Sequence, residues 1–280
     1  MGAVKISATE VKKLRDQTGA GMMDCKKALI EADGDFEKAI EVLRKKGQKV
    51  SLKRAEREAK EGVVYAIVSH DKKKGVVIKL SCETDFVAKN ESFIAFAKNI
   101  AGIAIMRFPD DVDALLEIPY NGNGISIKEK IVEQVGVIGE KIELAAYEKL
   151  EAPQVSSYIH MGYKAGVIVG LNKNHDQFDR VGKDVAMQVA AMKPIAVDKN
   201  GIDEHMVEKE IEIGKEQARR EGKPEAILEK IARGKLNKFF QENTLLNQDF
   251  VKDSKKTVDE YLKESDPDLT VLDFRHVQLG

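Results

Sequence analysis

Tryptophan is absent from the 280 residues, and aromatic residues make up only 6% of them. So thin an aromatic set gives little sign of a surface that stacks nucleic-acid bases. The chain also lacks an excess of either charge. Its 46 Lys and Arg stand against 47 Asp and Glu, a formal net charge of −1, where a general nucleic-acid binder would show a clear basic surplus. Cysteine is nearly missing too: Cys25 and Cys82 lie far apart, without CxxC spacing. No apolar run approaches the length of a membrane span. No secretory leader precedes the polar, helix-forming start at Met1 to Glu10. A soluble cytoplasmic protein with free thiols is expected, with no membrane partner.

Signatures of nucleotide and metal chemistry are absent as well. There is no GxxxxGKS/T, no GxGxxG after a strand and no HExxH. Gly136 to Lys141 is only superficially phosphate-loop-like, because its spacing is wrong and it follows a helical stretch. His70, His160, His175, His205 and His276 are scattered, without metal-ligand spacing. Nothing here assembles a catalytic site, so an enzyme is not expected.

What is present is charge and periodicity. One third of the residues are charged, and the length suits one large domain or two to three small ones. Ser7 and Glu10 form a capping-box pair before a short helix that stops at Gly19. A second helix runs from about Met22 or Asp24 to near Asp33-Gly34, and Asp35 caps a third, with Phe36, Ala39, Ile40 and Leu43 on one face and Gly47 as its stop. The turn between the first two carries paired methionines, Met22 and Met23. Methionine suits both an adaptable binding surface and a core. The basic stretch from Arg44 to Lys60 has no interleaved aromatics and reads as a solvated linker or helix extension, a spacer between modules. An RNA- or ribosome-binding role for it is the competing reading, and would show as strongly salt-dependent binding.

The centre of the chain reads as a repeat. Residues 63–68 and a strand from Gly75 form a hairpin. Val76, Ile78, Leu80 and Cys82 alternate along one face of that second strand. Asn90 then caps a helix with Phe93, Phe96, Ala97, Ile100, Ala101 and Ala104 at helical spacing. A helix from Ser126 and a strand over 142–149 complete the first half. The same order recurs from Ser157: Gly166 to Leu171 matches Gly75 to Leu80, a polar loop and a helix with Val181, Val185 and Val189 follow, and a helix over 257–263 and a strand over 270–279 close the unit. A duplicated α+β core of antiparallel strands with helices is expected. A charged helical hairpin with Met206, Ile211, Ile227, Ile231 and Phe239 as its sparse apolar positions is inserted in the second half.

The halves differ at the strand-to-helix loop. The first has Thr84-Asp85-Phe86-Val87-Ala88-Lys89, a large aromatic beside a carboxylate, where a plain connector would use Gly, Ser, Asn or Pro. The second has only polar residues there. From the residues alone Phe86 is either folded back into the core, the commoner fate of phenylalanine, or exposed as a wedge for a partner.

Thr18-Gly19-Ala20-Gly21-Met22-Met23-Asp24-Cys25-Lys26-Lys27-Ala28-Leu29 closely resembles the N-terminal signature of the translation elongation factor Ts family. Thr84 to Lys89 resembles its second signature, and Tyr158-Ile159-His160 and Gln248 to Asp253 are similar to further family stretches. The likeness runs from about Val4 to Leu279. It implies a three-helix domain like the ubiquitin-associated fold over 1–50 and a basic linker over 51–62. The core would occupy 63–151, then 152–195 with 244–280, and an antiparallel coiled-coil hairpin 196–243. The implied activity is guanine-nucleotide exchange on elongation factor Tu, bound in its GDP and nucleotide-free forms, with a dimer of Tu–Ts complexes admitted. Thr84, Asp85, Phe86 and Val87 would bind Tu, with the Asp85-Phe86 loop inserted so as to disturb its Mg²⁺ and phosphate site. Arg15, Met22, Met23 and His160 would make further contacts. The Mg²⁺ belongs to Tu, so no cofactor or metal is expected in this chain, nor direct nucleic-acid binding. Met161-Gly162-Tyr163 after His160 is more crowded than the glycine-rich turn of the family, which weakens the carry-over to His160.

Overall fold

The chain folds as a succession of short helices and small sheets, seen in a computed structural model that describes residues 6–120 and 124–280. The helix-forming start at Met1 to Lys5, with the first residues of the family likeness, lies outside the described residues. In chain order come α1 (Ala8–Thr18), α2 (Met22–Glu31), α3 (Phe36–Arg54), β1 (Glu61–Val68), β2 (Lys74–Cys82), α4 (Asp85–Ala88) and α5 (Glu91–Arg107). Then follow α6 (Val112–Leu116), α7 (Ile127–Ile138), β3 (Ile142–Glu151), β4 (Gln154–His160), β5 (Ala165–Leu171) and α8 (Phe178–Met192). The last are α9 (Glu204–Arg220), α10 (Glu225–Asn243), β6 (Asp249–Phe250), β7 (Asp253–Thr257), α11 (Val258–Ser265) and β8 (Val271–Gln278). This is an α+β protein. No described helix is long and apolar enough to cross a membrane.

Two units divide the chain: Met1–Tyr65 with Ile78–Glu148 and Gln278–Gly280, and Ala66–Val77 with Lys149–Val277. In the first, the helix ends follow their capping chemistry. The Ser7 hydroxyl accepts the Glu10 N–H while the Glu10 carboxylate accepts the Ser7 N–H. Gly19 closes α1 in the left-handed region, at φ 74°, where a side chain would be strained. The Asp35 carboxylate accepts the Lys38 N–H at the start of α3. Val11, Leu14, Cys25, Ala28, Leu29 and Ala39 form the small core of these three helices.

Gly47 does not stop the third helix. α3 continues to Arg54, and Gly47 is instead where it crosses α7. A Cβ at Gly47 would meet the Val132 carbonyl oxygen at 2.7 Å. Glycine inside a helix costs about 1 kcal/mol relative to alanine, and here that loss is offset by close backbone packing. As far as Arg54 the basic stretch extends α3, and several of its mostly exposed cations are paired. Arg44 Nε donates to Glu133 at 3.0 Å, Lys46 pairs with Asp24 at 2.5 Å, and Arg54 pairs with Glu83 at 2.6 Å.

The strand order is β1-β2-β3 in one sheet and β4-β5-β8 in a second, so the later hairpin and closing strand repeat the earlier arrangement. In the second unit β4 and β5 pair antiparallel, with Ser157 opposite Ile168 and His160 opposite Ala165. Every residue of β5 is buried, as its unbroken apolar run requires of a strand covered on both faces. Val167, Val169 and Leu171 pack with Val181, Val185 and Val189 of α8 and with Val258 and Leu262 of α11.

α9 and α10 pack antiparallel, and of the apolar positions that stand out in the sequence Ile211, Ile231 and Phe239 are half-buried. Met206 and Ile227 are exposed, and the buried seam is Gly214, Ala218, Leu228 and Ala232. A Cβ at Gly214 would lie 3.1 Å from the Ala232 Cα. Where large apolar residues are few, small ones let the backbones approach and recover the dispersion contacts.

Candidate functional site

The strand-to-helix segment of the first unit is not an irregular loop. Thr84 sits at φ −124°, ψ 153° and caps a single helical turn, α4, its Oγ1 accepting the Val87 N–H at 3.4 Å. Asn90 then caps α5 by accepting the Ser92 N–H at 2.9 Å. This geometry throws Phe86 outward: it is 84% exposed, whereas Phe93 and Phe96 on α5 are buried. Val87 is half-buried beside it. The exposed side chain of Asp85 pairs with Lys89 at 2.6 Å. That hydrogen bond holds the Asp85 carboxyl below the usual aspartate value.

Beneath the turn two glutamates exchange bonds. Glu140 Oε2 accepts the N–H groups of Glu83 (3.1 Å) and Thr84 (3.0 Å), and its Oε1 accepts the Thr84 hydroxyl at 2.7 Å. In return Glu83 Oε1 accepts the Lys141 N–H at 2.6 Å. Arg54, the last residue of α3, donates to both Glu83 oxygens at 2.6 and 2.8 Å. Burial pushes the Glu83 carboxyl up, but the Lys141 N–H and the two arginines, Arg54 and Arg57, outweigh it and hold the group below its ordinary value. Cys82 is fully buried and its thiol donates to the Thr84 carbonyl at 3.2 Å. Burial raises that thiol to about 12, so it serves as a weak donor and not as a nucleophile.

A second exposed group lies in the same unit. The Thr18 hydroxyl donates to the Leu14 carbonyl at 2.7 Å and accepts the Ala20 N–H at 3.3 Å, while the Cys25 thiol donates to the Ala20 carbonyl at 3.5 Å. These bonds fix the turn through Gly19 and leave Met22 44% and Met23 64% exposed on the first turn of α2. Arg15 is also exposed. The core reading of this methionine pair is therefore not what the structure shows.

His160 lies in the second unit, at the end of β4. Its Nδ1 is 3.0 Å from the Tyr158 hydroxyl. The turn that follows places Met161, Gly162 and Tyr163 at φ 42°, 63° and 72°. Three successive left-handed residues are what a glycine-rich turn would supply without strain.

Glu83, Glu140 and Arg54 are the residues that sequence reasoning missed. Glu140 lies in the segment set aside as a phosphate-loop look-alike, and Arg54 in the stretch read as a spacer. Only pairing across separations of 29 and 57 residues reveals them. Among the described residues no group of three or more His, Cys, Asp and Glu side chains is arranged to hold a metal ion.

Comparison with known proteins places the chain among translation elongation factors: the family described as Elongation factor TS matches residues 83–280. It is 54% identical over 276 residues to Elongation factor Ts of Christiangramia forsetii, covering 99% of each chain. It is 50% identical over 275 residues to that of Flavobacterium psychrophilum and over 277 residues to that of Amoebophilus asiaticus, covering 98% of this chain and 99% of each relative. The chain belongs to the elongation factor Ts family.

Proposed function

We propose that this chain accelerates GDP release from elongation factor Tu by inserting Phe86, with Asp85 beside it, between helices of the Tu nucleotide-binding domain. The observation that carries this reading is Phe86 itself, a large apolar side chain 84% exposed on a turn held from below. An exposed aromatic costs solvation unless a partner buries it, and aromatic anchors dominate binding energy at interfaces. Family membership supplies the partner, since elongation factor Ts proteins act as nucleotide exchange factors for Tu.

Exchange of this kind breaks no covalent bond. The factor binds a Tu conformation in which the Mg²⁺ and phosphate site is disturbed, which lowers the affinity for GDP. By linkage GDP lowers the affinity for the factor by the same ratio. GTP entry then releases it. The Mg²⁺ is part of Tu, and this chain brings no cofactor of its own. Arg15, Met22 and Met23 form a second contact from the N-terminal helices, a domain of ubiquitin-associated type over 1–50. His160 faces another part of Tu, and the α9–α10 pair is a coiled-coil arm over 196–243. The setting is the cytoplasm.

The test is release of a fluorescent GDP from Tu with and without the protein. The intact chain accelerates release, and Phe86→Ala loses about 2 kcal/mol of that acceleration, roughly 30-fold, at unchanged thermal stability. No acceleration by the intact chain overturns the exchange reading, and an unchanged Phe86→Ala rate overturns the wedge.

A further inference from the structure

The turn that carries Phe86 has little local reason to hold one shape. α4 is a single turn of four residues, far below the length at which a helix is stable alone. Its own ties are the backbone hydrogen bonds of one turn, Ala88 N–H to the Thr84 carbonyl, Lys89 to Asp85 and Asn90 to Val87. To these are added the 3.4 Å cap from Thr84 and an exposed ion pair, Lys89 with Asp85, and exposed pairs contribute little. What fixes the turn comes from elsewhere in the chain. The Glu140 carboxylate takes both backbone N–H groups that lead into it and the hydroxyl of its cap. Glu83 reaches back for the Lys141 N–H and is itself gripped by Arg54.

We infer that Glu83 and Glu140 form a reciprocal latch that presents Phe86, and that both are positioning residues for nucleotide exchange, acting through the turn without touching the partner. The inference rests on the reading of Phe86 as the wedge. A turn ordered before docking spares the partner complex the cost of ordering it. Without the latch only a fraction of molecules show Phe86 in the competent pose, and the apparent activity falls by that fraction. Arg54 extends the device to α3, which packs on α2 and so on the helix that exposes Met22 and Met23. The two exposed groups of the first unit are thereby joined by a continuous set of contacts.

Glutamate suits the role because one carboxylate accepts three donors at once. Glutamine keeps an oxygen for the two backbone N–H groups, and its amide can donate to the Thr84 hydroxyl, so Glu140→Gln preserves most of the latch. Alanine removes all three Glu140 bonds and leaves only the Glu83 half of the latch. The half-buried donors it strands lose their partner, and an unpaired donor shielded from water costs more than the bond was worth.

The experiment is a cycle of GDP-release rates from Tu with the full chain, Phe86→Ala, Glu140→Ala, Glu140→Gln and Glu140→Ala/Phe86→Ala. We expect Glu140→Ala to slow release at least fivefold, Glu140→Gln to stay within twofold of the parent, and the double variant to be no slower than Phe86→Ala. A Glu140→Ala rate equal to the parent overturns the latch, as does a double variant in which the two losses multiply. A parent-like Phe86→Ala rate overturns the wedge and the latch with it, so the two failures are told apart. Should Glu140→Ala not fold, Thr84→Val, which deletes the hydroxyl shared by cap and latch, takes its place in the cycle with the same outcomes.

Discussion

Gly47 of α3 and Gly136 of α7 meet backbone to backbone, so that a Cβ at Gly136 would stand 2.8 Å from the Gly47 Cα. Helices rarely approach so closely unless both surfaces are stripped of side chains. The contact fixes where α3 crosses, and therefore where Arg54 at its end reaches Glu83.

Alanine at Gly136 should therefore cost about 1–3 kcal/mol through overpacking, although glycine to alanine within a helix ordinarily stabilises by up to about 1 kcal/mol. Gly102, inside α5, is the control: nothing lies within 4 Å of its missing Cβ, and Gly102→Ala should raise stability. Urea unfolding of the two variants gives opposite signs. A Gly136→Ala variant as stable as the parent would show that the helices simply slide apart.

The Glu83 carboxyl makes the first unit sensitive to acid. Its folded value is depressed, so its contribution is complete above the unfolded glutamate value of about 4.3 and is lost as pH falls through the folded value. Thermal midpoints between pH 5 and 3 should fall less steeply in Glu83→Gln than in the parent, because that variant has no proton to take up. Identical slopes would mean that Arg54 and the Lys141 N–H hold the group no more tightly in the folded than in the unfolded chain.

Local signals in the sequence located the elements well, because capping and alternation are local physics. Ser7 with Glu10, Asp35, Asn90 and Ser126 all begin helices where their hydrogen-bonding groups suggest. Gly47 misled for a physical reason: a glycine that ends a helix and one that lets a helix cross another are the same letter, and only the partner helix distinguishes them. The α9–α10 seam was missed in the same way. Of its apolar positions Met206 and Ile227 are exposed, and Gly214, Ala218, Leu228 and Ala232 are the buried contacts. The latch under Phe86 was illegible because each of its bonds joins segments far apart in the chain.

Met161 gives a prediction about strain. It is 73% exposed and sits at φ 42°, in a region that costs a side chain roughly 1 kcal/mol or more. Met161→Gly relieves that strain at the expense of a more flexible unfolded chain, and a net gain of about 0.5 kcal/mol is expected in chemical denaturation. A loss of stability would show that the methionine side chain, despite its exposure, holds the turn.

The triplet Asp-Phe-Val occurs twice, at Asp85-Phe86-Val87 and Asp249-Phe250-Val251, with opposite fates. Phe250 is 3% exposed and stacks on Tyr261 at 4.1 Å between ring centroids. The Tyr261 hydroxyl donates to Asp184, Lys252 pairs with the same carboxylate, and the buried Gln188 side chain accepts the Val251 N–H and donates to the Asp249 carbonyl. Every neighbour of Phe250 draws it inward, whereas the latch under Thr84 leaves Phe86 facing out. Removing the two rings should therefore separate stability from activity. Phe250→Ala is expected to cost about 3–5 kcal/mol of folding free energy while leaving the exchange rate of the folded fraction near that of the parent. Phe86→Ala should change stability by no more than about 0.5 kcal/mol while slowing GDP release. Calorimetry and release rates on the same preparations decide the matter. A Phe86→Ala variant that melts as early as Phe250→Ala would show that the exposed ring also supports the fold.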